Sequence, residues 1–146
     1  MSAYADTSFV LSWFIPDANH SRAVSRIAAC KGPAGLPWTP WSGVEFNNSL
    51  RALVARGLLS PSVPLQVGRQ LRSAFRVGDL VAAPLPVYRW WAQAEELSRA
   101  HTVRLGVRTL DLLHVAAARV QGADEFLTFD QRQRGLAEAA GLLVGP

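Results

Sequence analysis

Two short runs of strand-forming residues each end in an aspartate that opens a helix, and this pairing limits the architectures open to the chain. Ala3-Tyr4-Ala5 runs into Asp6-Thr7-Ser8, and Phe126-Leu127-Thr128-Phe129 runs into Asp130. Asp, Thr and Ser are the residue types that cap helix N-termini. A strand that turns at once into a helix belongs to parallel sheets covered by helices. The sequence between these runs keeps to the same alternation. Phe9, Val10, Trp13 and Phe14 form a helical stripe that stops at Ile15-Pro16, because proline disfavours a helical residue before it. A second helix is expected over residues 19–31, with Ala23, Val24, Ile27 and Ala28 on one face, Cys30 within that apolar face, and Gly32-Pro33 closing it.

Residues 36–39 read as a short extended piece leading into a third helix over 40–57. That helix carries Val44, Glu45, Leu50, Leu53 and Val54 and stops at Gly57. Residues 61–77 and 86–100 read as two further helices, each with proline at its start, and residues 79–83 between them as a small strand. A strongly helical stretch begins at Thr109 or Leu110 and runs to Val120. Its Ala116-Ala117-Ala118 allow close packing on a sheet, and Gly122 ends it. Asp130 opens a helix to about Ala140, and Gly141 releases Leu142-Leu143-Val144 as a last strand. The expected fold class is therefore α/β, a three-layer α/β/α sandwich with a short central parallel sheet. With 146 residues the chain is expected to form one domain, 1–146, burying about two thirds of its unfolded surface.

Composition narrows the setting. The single cysteine forms no internal disulfide, the start lacks a basic leader, and no apolar run approaches the roughly 18 residues that cross a bilayer. A soluble cytoplasmic protein is expected. Fifteen basic residues face eleven acidic ones, and fourteen of the fifteen are arginine, whose planar fork suits phosphate or carboxylate. No phosphate-binding glycine loop, dinucleotide fingerprint, nucleophile elbow or zinc-ligand spacing is present.

Four of the acids stand where a solvated surface would not place them. Asp6 and Asp130 follow strands, at the carboxyl edge where open α/β sheets bind ligands. Asp111 lies in a helix first turn among Leu110, Leu112 and Leu113, and Glu45 between Val44 and Phe46. Each has a plainer reading: Asp6 and Asp130 as helix caps, Asp111 as a complement to the helix dipole, Glu45 as a paired or snorkelling surface group. If the four converge, their mutual repulsion calls for a hard divalent ion such as Mg²⁺ or Mn²⁺, whose chemistry suits water attack on a phosphodiester. His114, three residues after Asp111 on the same face, is open between a metal ligand and a core or Asp111-pairing residue. Trp38, Trp41, Trp90 and Trp91 could stack unpaired bases, but their amphipathic contexts favour core or dimer packing.

The segments Tyr4-Ala5-Asp6-Thr7-Ser8, Val44-Glu45-Phe46, Leu110-Asp111-Leu112-Leu113-His114-Val115-Ala116-Ala117-Ala118 and Phe126-Leu127-Thr128-Phe129-Asp130 together resemble the PIN-domain ribonucleases, and within them the VapC-type toxins of bacterial toxin-antitoxin pairs. The resemblance covers essentially the whole chain. It implies a metal-binding acidic pocket of Asp6, Glu45, Asp111 and Asp130 holding Mg²⁺ or Mn²⁺, with Ser8 and Thr128 as supporting hydroxyls. It also implies cleavage of structured RNA such as tRNA or rRNA, silencing by a cognate VapB-like antitoxin, and a homodimer. Arg108, Arg132 and Arg134 lie nearest the expected pocket and are candidates for holding RNA phosphates. A catalytically silent RNA- or partner-binding domain is the alternative. A phospho-transfer domain is disfavoured, since the only lysine is Lys31 and position 8 is serine rather than a second aspartate.

Overall fold

The structure is a computed structural model that describes residues 2–29 and 35–146. Its elements run β1 (Ala3–Ala5), α1 (Thr7–Phe14), α2 (His20–Ala29), β2 (Leu36–Trp38), α3 (Pro40–Ala55), α4 (Val63–Val77), β3 (Leu80–Ala82), α5 (Val87–Leu105), α6 (Thr109–Val120), β4 (Glu125–Leu127), α7 (Gln131–Ala139) and β5 (Leu143–Gly145). The expected end of the second helix, with Cys30 and the closing Gly32-Pro33, lies outside the described residues.

Every strand pairing is parallel. Tyr4 of β1 lies opposite Phe126 of β4, Phe126 opposite Val144 of β5, and Pro37 of β2 opposite Val81 of β3. Hydrogen bonds order the strands β1-β4-β5 in one sheet and β2-β3 in another, and β2 packs beside β1. Because side chains alternate across a strand, the layer feeds two cores. Tyr4 and Phe126 face Leu97 of α5, Leu113 and Val115 of α6 and Leu136 of α7. Ala5 and Leu127 face Phe9 of α1, Phe46 and Leu50 of α3, Val67 of α4 and Leu80. Each fully buried large side chain contributes about 1.5–3 kcal/mol of transfer free energy. Helices thus cover both faces, as the alternation of elements implies.

Most boundaries shift by a residue or two from the sequence reading, and three of the departures are instructive. Helix α5 runs to Leu105 rather than residue 100, because nothing interrupts the turn until Gly106, which adopts a left-handed φ of 62°. Strand β4 ends at Leu127, which leaves Thr128 and Phe129 beyond the ladder. Strand β5 sits one residue later than the 142–144 run. Helix α6 is unusual in being buried on all sides from Asp111 through Ala118, which accounts for its run of small and apolar residues broken only by Asp111 and His114. Among the described residues no helix is long and apolar enough to cross a membrane.

Candidate active site

The carboxyl ends of β1 and β4 are neighbours in the sheet, so the residues that follow them meet. Asp6 has no exposed surface. Its carboxylate caps α1 by accepting the Phe9 N–H at 2.8 Å, and it accepts the Ser8 hydroxyl at 2.8 and 2.9 Å and the Thr128 hydroxyl at 2.7 Å. Burial nevertheless pushes the Asp6 carboxyl above the ordinary carboxylate range, against the opposing pull of His114 and of the Thr128, Phe9 and Ser8 donors. The site therefore carries a charge that its own hydrogen bonds do not fully compensate.

Thr128 links the two strand ends through one hydroxyl. While donating to Asp6 it accepts the Asp130 N–H at 2.9 Å. Asp130 in turn caps α7, accepting the Arg132 N–H at 2.8 Å and the Gln133 N–H at 3.5 Å. Ser8 completes the junction by accepting the Phe129 N–H at 3.1 Å. Capping and convergence are thus the same arrangement at Asp6 and Asp130, not alternatives.

Asp111 is also fully buried. From the first turn of α6 it accepts the Arg108 N–H at 3.1 Å and the Arg108 guanidinium at 3.2 and 3.3 Å. The same guanidinium reaches Asp130 at 3.5 Å, so Arg108 bridges two of the four acids. Glu45, on α3, accepts the Thr7 hydroxyl and is bonded to Nε2 of His114. Burial pushes the Glu45 carboxyl up, and the charge of Asp111 adds to that. The His114 hydrogen bond and charge and the Thr7 hydroxyl outweigh both and hold it below the ordinary range.

His114 is the residue whose partner the sequence left open. It is buried and bonds Glu45, not Asp111, because one turn of α6 carries it past Asp111 toward α3. A carboxylate only accepts, so Nε2 carries a proton toward Glu45, while Nδ1 lies 3.1 Å from the Tyr4 hydroxyl. Burial raises the Tyr4 phenol above its ordinary range. Trp41 packs against the imidazole with ring centres 5.8 Å apart, and Trp90 against Trp41 at 5.7 Å. Trp90 also donates its indole N–H to the Leu113 carbonyl at 2.8 Å. These tryptophans brace His114 from the core side; Trp38 packs edge-on against Phe46 and Phe75, and Trp91 is half exposed.

The expected RNA-contacting arginines divide. Arg132 is exposed and engages only through its backbone. Arg134 donates to the Gly145 carbonyl at 3.3 Å and lies 3.8 Å from Glu138. Arg108 is committed to Asp111 and Asp130. Tyr4, Thr7 and the link from His114 to Glu45 were missed as site features. Their signal was present, since Tyr4 and Thr7 flank Asp6 and His114 shares the Asp111 face.

Four carboxylates give an all-oxygen donor set of the kind hard divalent cations select. As arranged, Glu45 is turned to His114 and Thr7, and Asp111 and Asp130 to Arg108. Among the described residues no three Asp, Glu, His or Cys side chains form a ready ligand group. Arg108 supplies the positive charge that this set requires, and its side chain is 58% exposed and so has room to withdraw. The donor chemistry fits a divalent ion, with Arg108 as its stand-in.

An α/β sandwich that gathers acids at the carboxyl edge of a parallel sheet defines the class. The PIN domain model matches residues 3–139, and the chain belongs to the PIN domain family. Solved structures share its fold over nearly their whole length. VapC20 of Mycobacterium tuberculosis, a sarcin-ricin loop cleaving toxin, is 22% identical with a TM-score of 0.66, covering 97% of each chain. VapBC2 of Rickettsia felis, bound to a DNA fragment from its promoter, is 13% identical with a TM-score of 0.66, covering 99% of this chain and 98% of that one. FitAcB of Neisseria gonorrhoeae is 17% identical with a TM-score of 0.64, covering 99% and 96%. No curated protein matches the sequence.

Proposed function

We propose that the protein is a metal-dependent endoribonuclease, the toxin of a toxin-antitoxin pair, built as one domain and acting in the cytoplasm as a homodimer. The observation that carries this reading is the linkage of Asp6, Thr128, Asp130, Arg108 and Asp111 by hydrogen bonds and one ion pair at the carboxyl edge of a PIN fold. Glu45 is held beside it by His114. In this reading Asp6, Glu45, Asp111 and Asp130 would hold Mg²⁺ or Mn²⁺, and an ion bound there would supply activation of water and neutralisation of charge on the phosphodiester oxygens. Ser8 and Thr128 orient Asp6, and His114 with Thr7 fixes Glu45. Arg108, Arg132 and Arg134 draw the RNA phosphates toward carboxylates that would otherwise repel them.

The sarcin-ricin loop cleavage of VapC20 and the partnered state of VapBC2 support RNA, tRNA or rRNA, as substrate and a VapB-like antitoxin as partner. The test incubates purified protein with tRNA and rRNA in Mg²⁺, in Mn²⁺ and in EDTA. Cleavage in the metals alone, abolished by Asp6→Asn and by Asp111→Asn, is the expected result. A second reading, a silent binding domain, draws on the Arg108 bridge between Asp111 and Asp130, and absence of cleavage in both metals would favour it. Co-expression with the neighbouring small protein is expected to give a complex that survives purification.

A further inference from the structure

The net positive charge of this chain comes from one hairpin. Residues 46–78 contain Arg51, Arg56, Arg69, Arg72 and Arg76 and no acid, leaving ten basic residues against eleven acidic ones everywhere else. All five arginines are exposed. None is in an ion pair: the pairs among the described residues engage Arg26, Arg99, Arg108, Arg134 and His114. This stretch comprises α3 beyond Glu45, the following turn and α4.

Geometry orders these charges. On α4 the arginines are spaced three and four residues apart, which sets them in one stripe about 10 Å long. The exposed residues around them, Gln66, Gln70 and Ser73, all form hydrogen bonds readily. Gly68 leaves space beneath the Arg72 guanidinium, which would lie 3.8 Å from a Cβ there. At the C-cap of α3, Arg56 follows Glu45 by eleven residues, about three turns, and so comes near the same line of the helix about 16 Å further on. Asn48, Ser49 and Ala52 lie along that line, and all three are small or polar.

Unneutralised like charges repel one another, and guanidinium forks match phosphate oxygens in a bidentate manner. Amide and hydroxyl side chains interleaved with arginine suit a phosphate-sugar backbone. A membrane surface would require an apolar face beside the cations, and on α4 the exposed apolar residues Leu65 and Val77 stand apart near its two ends. We propose that the exposed arginines of the α3–α4 hairpin form a phosphate track that holds RNA leading away from the acidic cluster. This rests on the ribonuclease reading and extends it to the path of the substrate.

The test measures binding of a fluorescein-labelled RNA stem-loop by anisotropy, in EDTA, between about 50 and 200 mM KCl. Arg69→Gln/Arg72→Gln/Arg76→Gln is expected to lower the slope of log affinity against log salt by about 2–3 units and to weaken binding at least tenfold at the upper salt, an order-of-magnitude estimate. Arg51→Gln/Arg56→Gln lowers the slope by about 1–2 units on the same grounds. Arg89→Gln/Arg104→Gln/Arg119→Gln removes as much charge from other helices and is expected to change the slope little. Far-UV circular dichroism checks the fold of each variant. An unchanged slope in the hairpin variants overturns the track, as does an equal fall in the control, which would mean that only net charge matters. If the hairpin variants instead lose a co-expressed acidic protein with the slope intact, the face is a protein interface and the proposal fails. Metal-dependent cleavage of the same RNA is scored separately. A localised slope loss in a protein that cleaves nothing supports the track and removes the ribonuclease reading, whereas cleavage with an unaltered slope removes the track alone.

Discussion

Asp6→Asn is expected to stabilise the metal-free protein. Each hydrogen bond to an ionised acceptor contributes about 1.5–3 kcal/mol, and Asp6 receives donors from Phe9, Ser8 and Thr128. Asparagine keeps one acceptor oxygen for the Phe9 N–H, and it caps helices about as well as aspartate. It gives up the Thr128 donor but also removes a buried charge whose desolvation costs several kcal/mol. Burial outweighs the donors at this carboxyl, so the balance favours the variant, and each ~1 kcal/mol gained would raise Tm by about 2–4 °C at this chain length.

The pH dependence follows from the direction of the shift. A carboxyl raised on folding binds more protons in the folded than in the unfolded chain, from the ordinary carboxylate range up to its folded value. Wild-type stability therefore falls as pH rises through that interval. The asparagine variant lacks this contribution, so its advantage is absent near pH 4 and grows as Asp6 ionises, an interval set by the reference value of about 3.9. Thermal unfolding in EDTA, followed by circular dichroism across this range, measures it. A variant Tm more than about 3 °C below wild type at neutral pH, or an advantage that shrinks as pH rises, would refute the reasoning and leave Asp6 as a simple cap.

Other outcomes can be checked in parallel. His114→Gln is expected to weaken Mn²⁺ binding about 10–100-fold by calorimetry, the usual cost of removing a group that orients a ligand, with Tyr4→Phe smaller in the same direction; unchanged affinity would detach His114 from the role assigned to it. Arg108→Gln is expected to tighten Mn²⁺ binding, because Asp111 and Asp130 lose their competing cation, and weaker binding would exclude Arg108 as a stand-in. Gly35→Ala would press a Cβ into the Gly78 carbonyl oxygen and to 2.8 Å from the Asp79 carbonyl. It should cost about 1–3 kcal/mol as a lower urea midpoint at constant slope.

Where an element announces itself by local chemistry, the sequence was readable. Asp6 and Asp130 could be set at strand ends because a cap residue after a β-rich run is a short-range signal, and the two cores follow from alternation at Tyr4 and Ala5. The seam between β1 and β2 left no such mark, since it arises from how strands three residues long are shared between two sheets. Positions of the acids were legible, but their partners were not. That His114 meets Glu45 rather than Asp111 depends on where the tertiary fold sets Glu45 of α3 relative to α6, and a helical wheel of one helix carries no information about another. Arg108 was read as a free phosphate contact because its nearness to Asp130 is a tertiary fact.

Burial of α6 on every side has a consequence for how the molecule comes apart. Strands of three residues protect few amides, whereas α6 is enclosed over two turns between both neighbouring helices and the sheet. The slowest hydrogen exchange should therefore fall in this helix, and its opening requires the whole core to open. Asp111 and His114 both ride on it. Fraying at either terminus leaves these two in register, so they lose their places only with the fold itself.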